Sequence, residues 1–142
     1  MRNPIFPLLI ALACAPATAA DATASAGTPQ TVEAFAREFQ AALRQKDVAR
    51  VADMVAFPLR VNTDGRKGQR MSRERLVKSF DQVFSPGVVK DVLAQDPTQL
   101  FQNSQGAMFG DGAVWAAEVC PAQSQSVCPW RVITVNRPAG AP

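Results

Sequence analysis

From residue 32 onward the apolar positions fall at helical spacing: Val32, Phe35, Phe39 and Leu43 share one face, with Thr28 as cap, Pro29 at the first helical position and Glu33 in the first turn. Asp47 then caps a shorter helix with Val48, Val51, Ala52 and Val55 inward, ending before Pro58. Here the period changes. Phe57, Leu59 and Val61 alternate with Arg60 and Asn62, the pattern of a strand with one apolar and one polar face, and Pro58 assigns it to an edge or a strand start. A turn at Thr63, Asp64 and Gly65 leads into a basic loop reaching Met71. Ser72 caps a third helix carrying Leu76, Val77, Phe80, Val83 and Phe84, and Ser85-Pro86 open a fourth with Val89, Val92 and Leu93.

The last third reads as strands. Residues 100–103 are a short apolar-polar piece, and residues 105–109 and 113–119 flank Gly110-Asp111-Gly112, a hairpin signal because glycine accepts the positive φ of tight turns. After a Gln-, Ser- and Pro-rich connection, Trp130, Val132 and Thr134 alternate with Ile133 and Val135. Helices first and a meander afterwards predict one α+β domain over residues 31–137, its helices packed on one face of a curved antiparallel sheet, with a tail at 138–142.

The N-terminus is a different kind of segment. One positive charge at Arg2, an apolar run over residues 5–15 and the small residues Ala17, Thr18, Ala19 and Ala20 before Asp21 form an export signal over residues 1–20, cleaved near Ala19 or Ala20. The run is about half the ~20 residues that a membrane-spanning helix needs. Cys14 could instead anchor a lipid, but Leu12 stands two positions before it where a lipobox places leucine three before, so soluble export to a periplasmic or secreted location is the expectation. Residues 21–30 hold only small and polar side chains and form a flexible lead.

Charge changes little in this picture. Fifteen basic and twelve acidic residues leave a net +3, and the cluster Arg66, Lys67, Arg70, Arg73 and Arg75 reads as a solvated loop rather than a nucleic-acid stripe. Cysteine changes more. With Cys14 in the leader, Cys120 and Cys128 are the remaining pair, and an oxidising compartment joins them. The chain has no His and no further Cys to complete a zinc site, and no cofactor motif stands in it.

The opening Val32-Glu-Ala-Phe-Ala-Arg-Glu-Phe39, the strand Phe57-Pro-Leu-Arg-Val-Asn62, the helix from Ser72 and the run from Leu100 to Trp115 together resemble small periplasmic proteins of the cystatin-like, nuclear-transport-factor-2-like cone superfamily. The resemblance spans roughly residues 31 to 136 and implies a cone of helices on a curved sheet, with activities that range from isomerases and dehydratases to scaffolds.

Catalytic members of that superfamily place an Asp beside His or Tyr inside the cone, and this chain has neither His nor Tyr. Asp53, Asp81, Asp91 and Glu118 would have to work alone, and each fits a solvated face. A more coherent set is Arg60, Asn62, Asn103, Gln105 and Trp115. The non-core sides of the first strand and the hairpin would bring a guanidinium, amides and an indole into one cleft suited to an acidic or carbonyl-bearing ligand. The competing assignment gives Arg60 to Asp64 or Glu118, the amides to strand ends and Trp115 to the core. The expected function is an exported, non-enzymatic binding or accessory domain. The alternatives are an isomerase- or hydrolase-like enzyme using the same pocket, and a module that dimerises through residues 114–117 and Trp130.

Overall fold

The first helix, α1 (Val32–Arg44), turns Phe35, Ala36, Phe39, Ala42 and Leu43 inward, as the periodicity requires. Its cap is Thr31 rather than Thr28: the Thr31 hydroxyl accepts from the Ala34 N–H at 3.2 Å and so fixes the start at Val32. The structure, a computed structural model, describes residues 30–64, 66–122 and 127–138. The expected export leader with Cys14, the lead up to Pro29 with Thr28, and the end of the tail lie outside these residues.

Asp47 caps α2 (Val48–Asp53) by accepting from the Arg50 N–H, and Val51 and Ala52 are buried against α1. The chain then enters β1 (Val55–Thr63), where Val55, Leu59 and Val61 face the core and Arg60 lies on the other side. Pro58 is not at an edge. It lies between Val55 and Arg60, where the ladder to the neighbouring strand is interrupted, so its missing N–H leaves no gap in the pairing.

The expected basic loop is instead an edge strand, β2 (Arg66–Met71), paired antiparallel with β1 through Leu59↔Met71 and Arg60↔Arg70. An edge tolerates such charge, since it discourages pairing with other chains. The single helix expected from Ser72 is two, α3 (Arg73–Lys78) and α4 (Phe80–Val83). The break at Ser79 points Phe80 and Val83 inward and leaves Val77 at 46% exposure. α5 (Pro86–Ala94) follows with Pro86 at its first position, burying Val88 and Val92.

The remaining strands are β3 (Phe101–Asn103), β4 (Gly106–Phe109), β5 (Val114–Glu118) and β6 (Trp130–Arg137). They complete a six-stranded sheet of order β2-β1-β6-β5-β4-β3. The sheet is mixed rather than antiparallel, because its second and third strands, β1 and β6, run parallel. The hairpin turn is formed as expected, with Gly110, Asp111 and Gly112 all at positive φ. Strict alternation fails in β6. Trp115 pairs with Thr134 while Ala116 pairs with Val132, so Ile133 is an extra residue in a bulge, and Val132 and Val135 both reach the core.

All the helices contribute to one hydrophobic layer against one face of this sheet, and its centre is aromatic. Phe39 stacks on Phe35 and meets Phe84 and Phe109 edge-on, each with ring centroids 6.0 Å apart. Cys120 and Cys128 are disulfide-bonded, tying the end of β5 to the start of β6, and the Val119 N–H continues the ladder to the Pro129 carbonyl. The bonded pair is compatible with an oxidising compartment. Cys128→Ser should lower stability by about 2.5 kcal/mol through the loop-closure entropy of the unfolded chain. Urea unfolding of the two proteins would measure it, and equal midpoints would remove the bridge from any account of stability. Among the described residues no helix is long and apolar enough to cross a membrane.

Candidate functional site

The helices cover one face of the sheet, and the other carries a cleft of about 390 Å³. Alternation builds it. Leu59 and Val61 point to the core, so Arg60 and Asn62 between them point away. Val114 and Ala116 are buried, which turns Trp115 outward from β5, and the bulge in β6 adds both Ile133 and Thr134 to the same side. Arg60, Asn62, Gln105 and Trp115 line this cleft together with Ile133, Thr134 and Asn136.

Four of the five residues singled out from the sequence therefore meet. Asn103 does not join them: its Oδ1 accepts from the Gln105 N–H at 2.8 Å, shaping the turn that presents Gln105. Asn136 is a residue that sequence reasoning missed. It sits opposite Asn62, accepts from the Asn62 Nδ2 at 2.7 Å and donates through its own Nδ2 to the Gly112 carbonyl. This chain of amides locks the polar end of the cleft to the hairpin turn. Only the pairing of β1 with β6 brings the two asparagines together, so no local signal could have found Asn136.

Strand pairing does not set Arg60 opposite Asp64 or Glu118. Arg60 lies opposite Arg70, while Glu118 lies opposite Trp130 and the Asp64 N–H donates to the Arg137 carbonyl. Gly68 on the same strand as Arg70 has no side chain to interfere, and a Cβ there would overlap Asn62 and crowd Arg60. The register extends this into a row across the whole sheet: Arg70, Arg60, Thr134, Trp115, Met108 and Phe101 stand side by side. The row is cationic at the β2 edge and apolar at the β3 edge, where Phe101 is 55% exposed.

The carboxylates considered for catalysis lie elsewhere. Asp53 pairs with Arg73, Asp81 pairs with Lys46, and Asp91 and Glu118 are exposed outside the cleft. Two carboxyls are held below their ordinary values, both fully exposed: Glu74 by its own backbone N–H and the Ser72 hydroxyl, and Asp96 by the N–H and hydroxyl of Thr98. Both serve local turns. Of the residues expected in a dimer interface, Val114 and Ala116 are buried and Trp130 packs against the core, while Trp115 and Ala117 lie on the open face. Among the described residues, no three His, Cys, Asp or Glu side chains gather as a metal site would require.

The fold and cleft define a disulfide-bonded α+β domain with helices on one sheet face and a polar-to-apolar groove on the other. Compared with known proteins, the chain matches no family model, no curated protein and no solved structure.

Proposed function

We propose that the chain is an exported, non-enzymatic binding or accessory domain whose open sheet face takes a small molecule bearing a carboxylate or carbonyl on an apolar body. The observation that carries this is the convergence of Arg60, Asn62, Gln105 and Trp115 on one cleft. Arg60 and Arg70 lie directly opposite each other across two strands, and like charges in that position repel. A carboxylate between them offsets the repulsion and matches the planar donor fork of a guanidinium. Trp115, Met108 and Phe101 offer a continuous apolar track for the rest of the molecule. Export rests on the leader pattern and the bonded cysteines. Membership of the cystatin-like, nuclear-transport-factor-2-like superfamily is part of the same proposal, supported by the helices-then-sheet order and the single helical layer.

Decanoate and decanol test it, since they share an apolar chain and differ in charge. With Trp130 replaced by Phe, Trp115 fluorescence should respond saturably to decanoate and at least about tenfold more weakly to decanol, and Arg60→Gln should erase that difference. Equal responses to the two probes, or none to either, would overturn the proposal. A concentration-dependent dimer that buries Trp115 without added ligand would favour the dimerising module instead.

A further inference from the structure

A second hollow, of about 160 Å³, lies on the opposite face of the sheet, between the strands and the α3–α4 break. Arginines from three separate elements line it: Arg66 from β2, Arg75 from α3 and Arg137 from β6. Among the described residues, no carboxylate lines it. The ion pairs of Lys46 with Asp81 and of Arg73 with Asp53 do not involve these arginines.

Arg137 is held in place. Its Nε donates to the Thr63 hydroxyl at 3.1 Å and one terminal nitrogen donates to the Gln82 carbonyl at 2.9 Å, which fixes the plane of the fork and leaves its other donors for a ligand. Ser79, at the break between α3 and α4, lines the same hollow. Val61, Met71 and Val83 are buried beside them, and an apolar base strengthens any charge-assisted hydrogen bond formed above it. Asp64, whose N–H donates to the Arg137 carbonyl, is the acidic residue nearest in sequence to this strand end and does not line the hollow.

From this geometry we infer that the Arg66, Arg75 and Arg137 hollow is an oxyanion site of the phosphate class, separate from the open-face cleft and independent of the function proposed for it. Three cations that share one hollow repel one another, and an anion of high charge density relieves all three contacts at once. Tetrahedral oxygens accept from guanidinium forks and from hydroxyls together. The hollow is smaller than the roughly 300–1,000 Å³ of sites for drug-sized molecules, so the occupant is the phosphate itself or the phosphate end of a small monoester.

The test is an amide NMR titration of the disulfide-bonded exported protein with inorganic phosphate and with glycerol phosphate, each at constant ionic strength set with chloride. Saturable shifts at Ser79, Gln82 and Arg137 are expected, weakened at least about tenfold by Arg75→Gln and restored in part by Arg75→Lys. Arg75 is exposed on a short helix, so that variant keeps the test sound even if Arg137→Gln fails to fold. Tighter binding of glycerol phosphate would assign a phosphomonoester, and equal binding the free ion; either supports the site. Unsaturated shifts for both, or shifts unchanged by Arg75→Gln, would overturn it. Arg60→Gln in the open-face cleft should leave the titration untouched, which separates failure of this site from failure of the other.

Discussion

Phe39→Ala should lower the unfolding free energy by about 3–5 kcal/mol, a large share of the roughly 5–15 kcal/mol typical of a whole domain. Phe39 is 0% exposed and touches three other rings, one from its own helix, one from the α4 end and one from β4. Truncation removes its transfer free energy and opens a cavity. Rigid elements on several sides cannot close that cavity. Chemical denaturation followed by circular dichroism would measure the loss. A change below about 1 kcal/mol would mean that the helices and sheet are not packed through this ring.

Gln40→Leu should cost about 2–3 kcal/mol although it replaces a polar side chain by an apolar one in a buried place. Gln40 is 4% exposed, and its Nε2 donates to the Val92 carbonyl at 2.9 Å and the Gln95 carbonyl at 2.7 Å. Those carbonyls belong to the last turn of α5 and its cap, where intrahelical partners run out; the Val92 carbonyl also accepts from the Gln95 N–H, at a longer 3.3 Å. Leucine fills similar volume but donates nothing, so both carbonyls lose this donor and the buried Val92 carbonyl is left with the longer bond from the Gln95 N–H. Thermal unfolding should show the drop, and faster amide exchange at the end of α5 would place the damage there. A stabilised variant would count against the role of the two bonds.

These two residues also show how far the sequence could be read. Phe35, Phe39 and Leu43 recur at 3.6-residue spacing, so the inward face of α1 was legible from the pattern. Gln40 lies on the same face and was not legible. A glutamine reads as a solvent position until the end of α5, more than fifty residues further on, is known to sit beside it.

The cleft divides in the same way. Arg60 and Asn62 had to oppose Leu59 and Val61, and Trp115 had to oppose Val114 and Ala116, because strand geometry alternates sides. Asn103 was assigned to the cleft on the same rule, but it serves the turn before Gln105. Asn136 and Ile133 entered the cleft through the β1–β6 pairing and the β6 bulge, neither of which has a local signature.

Helix faces, the hairpin at Gly110-Asp111-Gly112, the cysteine pair and the α+β order were determined by the sequence itself, since each depends on residues within a few positions of one another. Tertiary structure alone decided the parallel pairing of β1 with β6, the conversion of a basic stretch into the edge strand β2, the break at Ser79 and the gathering of Arg66, Arg75 and Arg137. The physical reason is range. Periodicity and turn chemistry act through adjacent backbone, whereas strand partners and charge clusters are chosen by the burial of apolar surface contributed from the whole chain.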